Sequence, residues 1–129
     1  MAAPEKFNPK GVAAPIGAYS HVARIVAGSE VLHISGQVGM APDGKVPKTV
    51  GEQAEVVFAN ILAILKDCGM SAANIAKLTT FVVQGQPAAD VRAARAKALG
   101  EEKPASTLVF ISALAAPEYL VEVEVVACK

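Results

Sequence analysis

The chain has 129 residues, 53% of them hydrophobic, with no Trp and 5% aromatic residues. That suits one domain with a single core of small aliphatic side chains. Twelve basic residues balance twelve acidic ones. A neutral chain has no electrostatic footprint for a phosphate backbone, which argues against nucleic acid as a partner.

Residues 1–10, with Pro4, Glu5, Lys6 and Pro9, contain no apolar core of a signal peptide and are expected to form a loosely held arm. No apolar run approaches the ~18 residues that span a bilayer, so no membrane partner is expected. Cys68 and Cys128 lie far apart without metal-ligand spacing, and only two histidines accompany them. The expectation is a reducing, cytoplasmic compartment, with no disulfide and no metal.

Val22–Val26 and Val31–Ser35 are short apolar runs separated by Gly28-Ser29-Glu30, a pattern that predicts a hairpin. Pro42-Asp43-Gly44 supplies the next turn. Thr49 to Cys68 predicts a helix, opened by a capping box between Thr49 and Glu52 and ended by Gly69. Its apolar stripe runs through Val50, Ala54, Val57, Ile61, Ile64, Leu65 and Cys68. Leu78–Val83 predicts a strand rich in β-branched residues. Ala88–Leu99 predicts a second helix with Val91, Ala94, Ala98 and Leu99 buried, and with Arg92, Arg95 and Lys97 on a solvated face.

Thr107–Ala113 and Leu120–Ala127 predict the last two strands. In the second, Val121, Val123 and Val125 alternate with Glu122 and Glu124, so the valines share one face and the carboxylates the other. Helices packed on one face of a mixed sheet would bury the valines. The fold class is α+β, a single domain over 1–129. The sheet's other face then needs cover, which a partner subunit can supply.

Few residues suggest chemistry on their own. Glu122 and Glu124 lie about 6.5–7 Å apart on one strand face; the pair can position a water, or it is a solvent-facing stripe. Ser20 and His21 are adjacent on an extended segment and point to opposite faces, which argues against a Ser/His hydrolase. His33 reads as a hydrogen-bonded structural histidine. Gly36, in Ser35-Gly36-Gln37, marks either a close backbone approach to a ligand or a bulge. Arg24 can clamp a carboxylate through two parallel bonds, or is an exposed strand residue. Ser106 is either an oxyanion donor or a strand-start hydroxyl.

Taken together, these fragments resemble the Rid (YjgF/UK114) family over most of the chain. The resemblance is carried by Gly17-Ala18-Tyr19-Ser20-His21, similar to G-P-Y-S-Q, and by Ser35-Gly36-Gln37 as S-G-Q. Gln53 and Asn60 fall on a Q…N pattern, and Lys77–Val82 resembles V-K-x-T-V-F. Pro104-Ala105-Ser106-Thr107 stands for P-A-R-S, and Val121–Glu124 for V-E-I-E. The resemblance implies a chorismate-mutase-like subunit forming a homotrimer, with ligand clefts between subunits and no cofactor. It implies hydrolysis of imines and enamines such as 2-aminoacrylate, with a small imine, enamine or carboxylate as ligand. Carried over by position, Glu122 helps place the water, Tyr19 closes the pocket, and Gly36 and the backbone of Thr107 and Leu108 contact the substrate. Ser106 stands where the family's carboxylate-binding arginine belongs, and a serine supplies neither charge nor fork. Arg92 falls near the position of a family asparagine, and Arg24 lies in a segment, Ser20–Glu30, that is longer than usual. The resemblance therefore leaves open a weakened or altered hydrolase, a non-catalytic binding trimer, and a protein-interaction role.

Overall fold

The computed structural model describes residues 2–129. Six strands and two α-helices follow the order β1 (Glu5–Phe7), β2 (Val22–Arg24), β3 (Val31–Val38), α1 (Val50–Asp67), β4 (Ile75–Val83), α2 (Ala88–Leu99), β5 (Ala105–Ile111) and β6 (Val121–Cys128). A single 3₁₀ turn, Ala72–Asn74, precedes β4.

The main sheet has the order β3-β6-β4-β5. Strands β3 and β4 each pair antiparallel with β6, whereas β4 and β5 are parallel and joined through α2. Both helices cover one face. This is the α+β architecture expected of a mixed sheet with helices on one side.

Alternation in β6 assigns the faces. Val121, Val123 and Val125 are essentially sealed, at 0–2% exposure, against α1 residues such as Phe58, Ile61 and Leu65. Glu122 is half-buried and Glu124 exposed on the opposite face.

Helix α1 begins at Thr49, whose Oγ1 accepts a hydrogen bond from the Glu52 backbone N–H at 3.3 Å. The Glu52 carboxylate accepts from the Thr49 hydroxyl at 2.8 Å, where the capping box anticipated a backbone donor. Gly69, at φ 72, ends the helix as expected. The apolar stripe differs at three residues: Cys68 is exposed, and Phe58 and Gln53 are buried. Gln53 is tolerated in the core because its amide is satisfied. Its Nε2 donates to the carbonyls of Pro47 and Glu118, and its Oε1 accepts from Leu120 N–H. Gly39, just after β3, makes room for this helix, since a Cβ there would come within 2.8 Å of the Gln53 Cα.

Two expectations fail near the N-terminus. Val22–Val26 and Val31–Ser35 do not form a hairpin: β2 pairs with β1, in a separate two-stranded ribbon, and β3 pairs with β6. The short turn signal was real, since Gly28 adopts φ 87, but pairing partners are chosen by long-range burial. The arm expected to be loose is held over Glu5–Phe7 by that ribbon. Lys6 also donates to the Ala73 carbonyl at 3.3 Å and approaches Glu102 at 3.7 Å.

The last strands are shifted from expectation by one or two residues. Strand β5 starts at Ala105 and β6 at Val121. Helix α2 matches its predicted span and ends at Gly100, φ 60.

Candidate functional site

A cavity of about 610 Å³ opens between α2, the start of β5 and the loop carrying Tyr19. Strand register explains who lines it. Ser106 and Leu108 pair with Leu78 and Thr80 of β4, which in turn face Val125 and Val123 of β6. These residues therefore all project to the helix side, and Ser106, Leu108 and Thr80 reach the cavity wall. Phe58 from α1 and Val91 and Leu99 from α2 make its floor apolar.

The Tyr19 loop is tied to the strand that follows it in space. Buried Ser20 donates its hydroxyl to the Lys103 carbonyl at 2.6 Å, and its N–H to the Pro104 carbonyl at 3.2 Å. Ser20 is thus a structural brace that sets Ala18 and Tyr19 against the cavity. The Tyr19 and His21 rings meet edge-on, 6.1 Å between centroids.

The polar centre of the cavity is Arg95. Its Nη1 donates to Ser106 Oγ at 3.0 Å and its Nη2 to the Ala18 carbonyl. Burial lowers its guanidinium pKa from the ordinary value, and the like charge of Arg92 lowers it further. This corrects the sequence expectation, which placed Arg95 on a solvated face together with Arg92 and Lys97. Only the packing of the Tyr19 loop and β5 over that face makes the difference.

Glu122 and Gly36 lie elsewhere. Glu122 pairs with Phe81 and Val38, and Glu124 with Thr79, all on the face opposite the helices. The Glu122 carboxylate folds onto Gly36: a Cβ at Gly36 would lie 2.7 Å from its Cδ and overlap the carboxylate oxygen. A register shift between Ile34 and Gln37 accompanies this approach. The register shift fits the bulge reading of Gly36, and the group packed against its backbone is the Glu122 side chain.

Thr107 shares this open face, pairing with Thr79, and accepts from Lys77 Nζ at 2.7 Å. His33 is exposed there, without the hydrogen bond expected of a structural histidine. Arg24 stays on the ribbon, bonding Glu5 Oε2 at 3.1 Å and sitting 4.9 Å from the Phe7 ring centre. It does not line the cavity. A single chain therefore brings Tyr19, Ser106 and Leu108 together on one side and Glu122 with Gly36 on the other. Among the described residues no group of three or more His, Cys, Asp or Glu gathers to hold a metal, and no helix is long and apolar enough to cross a membrane.

A family model described as Endoribonuclease L-PSP matches residues 11–129. This chain belongs to that family, the Rid (YjgF/L-PSP) family. Among its relatives, a RutC family protein of Pyrococcus horikoshii is 35% identical over 117 residues, covering 89% of this chain and 90% of its own. The mitochondrial protein Mmf1 of Saccharomyces cerevisiae is 32% identical over 102 residues, 78% of this chain and 70% of its own. Among solved structures, the Rid family protein YyfB of Yersinia pestis, described as of unknown function, superposes with a TM-score of 0.85 at 28% identity, covering 99% of this chain and 100% of that one. The Rid fold therefore extends over the whole domain, including the segments that carry the cavity and the Glu122 face.

Proposed function

We propose that this Rid chain is a cytoplasmic homotrimer with small-molecule clefts between neighbouring subunits, where Glu122 places a water that hydrolyses imines or enamines of the 2-aminoacrylate type. The carrying observation is the division of the site: Tyr19, Ser106 and Leu108 face the helix side, while Glu122 and Gly36 face the other. Neither half is complete alone. A contact joining one copy's cavity to the next copy's open face is heterologous, and heterologous contacts form a closed ring when the rotation between copies closes. Exposed apolar residues beside both regions, Ile16 at the cavity mouth and Val109 on the open face, support such a contact. The unpaired Cys68 and Cys128 suit a reducing compartment.

The chemistry needs no redox step. The enamine tautomerises to the imine, and water adds to the imine carbon while Glu122 takes its proton. Returning that proton to nitrogen gives the carbinolamine. Its hydroxyl proton then passes through Glu122 to the same nitrogen as the C–N bond breaks and C=O forms, so one water enters, one ammonia leaves and a 2-oxo acid remains. The four ion pairs among the described residues do not involve Glu122, which leaves its carboxylate free to act as this base. An RNA substrate, suggested by the family description, finds no electrostatic support in a chain with balanced charges.

Light scattering at micromolar concentration is expected to give three times the 13.2 kDa chain mass; a monomer or dimer mass overturns the assembly. Wild type is expected to accelerate ammonium release from 2-aminoacrylate made in situ, and Glu122→Gln is not. Binding without any acceleration would leave the non-catalytic reading in its place.

A further inference from the structure

We propose that Arg95 is the anion anchor of the cavity, and that the ligand it holds is a 2-imino or 2-oxo carboxylate with a bulky apolar side chain. This deepens the small-molecule reading above and rests on it. Arg95 is a partly desolvated cation whose bonded partners, the Ser106 hydroxyl and the Ala18 carbonyl, are both neutral. No ion pair among the described residues includes it, and Glu102, the acid on the same wall, is engaged by Lys6 at 3.7 Å. Arg92 adds a second positive charge to the lining. Removing a charge from water without an opposite partner is unfavourable, so the site is short of one negative charge.

The guanidinium is also held for use. A guanidinium has five N–H donors, and the two acceptors leave the others free. Ser106 and Ala18 fix the plane of the fork, which suits two parallel bonds to a carboxylate. A purely structural clamp between α2 and the Tyr19 loop would account for two of those donors, but not for the missing counter-charge.

The remaining wall sets the ligand's body. Phe58, Val91, Leu99 and Leu108 line the same cavity as Arg95, and about 610 Å³ lies within the ~300–1,000 Å³ typical of sites that take a small organic molecule. A three-carbon acid would leave most of that apolar wall in water. A branched aliphatic or aromatic side chain would cover it, and burial of that area favours the larger acid.

The test uses 4-methyl-2-oxopentanoate, pyruvate and the uncharged 4-methylpentan-2-one as probes, with affinities read by calorimetry. Wild type is expected to bind the branched acid more tightly than pyruvate. Arg95→Met is expected to weaken the branched acid by about ten- to a hundredfold while leaving the ketone unchanged. Arg95→Lys keeps the charge without the fork and is expected to fall between. Ser106→Ala, which removes the brace, is expected to weaken the acid a few-fold. If Arg95→Met proves unfolded by circular dichroism, Arg95→Lys and Ser106→Ala decide alone. Unchanged acid affinity in the folded variants, or no acid binding by wild type, overturns the anchor. Equal affinity for pyruvate overturns the apolar body. Binding is read without turnover, so Arg95-dependent binding with no ammonium release sinks only the hydrolase. Ammonium release that survives in Arg95→Met with unchanged acid affinity sinks only the anchor.

Discussion

The two faces of β6 come from one eight-residue strand and end in opposite states. The valine face is sealed by α1 within the same chain, with Val121 and Val123 at 0% exposure. The glutamate face carries Glu122 on Gly36, exposed Glu124 and exposed His33, with no helix over it. Packing is thus concentrated on one side of the sheet, and the other side is left with polar side chains. The cavity of Arg95 and Tyr19 belongs geometrically to the packed side, at the edge where helix cover meets β5.

The sharpest way to break this contrast is to change Glu122. Glu122→Gln is expected to lower kcat for imine hydrolysis by about 10²–10⁴-fold, the usual contribution of a positioned base. Its melting temperature should stay within a few degrees of wild type, because a half-buried residue without an ion pair anchors little. A large loss of stability with intact activity would reverse the assignment of the two faces.

On the sealed face the expected effect is stability alone. Ile61→Ala removes a fully buried side chain and is expected to cost about 2–5 kcal/mol, read from urea unfolding. The two glycines near the end of β3 offer a finer comparison. Gly39→Ala drives a Cβ into the Gln53 backbone and should cost about 1–3 kcal/mol, the range for overpacking. Gly36→Ala meets only the flexible end of Glu122. It is therefore expected to turn the carboxylate aside, lowering kcat by at least about tenfold if the misplacement costs 1.4 kcal/mol, with little change in unfolding. Equal stability losses at both glycines would show that Gly36 serves packing and not Glu122.

The smallest expected effect concerns the end of the open face. Alternation puts Cys128 on the Glu122 side, yet it is fully buried, and burial raises its thiol pKa even though Lys6 nearby pulls it down. Cys68 at the end of α1 is exposed. A disulfide reagent at pH 8 should therefore titrate Cys68 rapidly and Cys128 only after denaturation. Rapid reaction of both thiols would mean that this end of the face is as open as the region around Glu122.

Much of this protein follows from sequence alone because the rules involved are local. The capped 3.6-residue repeat of α1, the Ala-rich α2 ending at Gly100, and the period-two alternation of β6 need only neighbours along the chain. So do the two faces, and with them the place of Glu122 opposite the valines. Tertiary structure decided what depends on distant partners. It pairs β2 with β1 where local turn signals suggested β3, because strand pairing is settled by burial across the chain and not by the turn. It seats Gln53 in the core, since its amide is satisfied by the nearby Pro47 carbonyl and by the backbone of the distant Glu118 and Leu120. It also turns Arg95 from a helix-surface charge into a cavity residue, because the Ser20-braced loop and β5 close over that one turn of α2. Whether a charged side chain meets water or a wall depends on what packs over it, and no periodicity within its own helix carries that information.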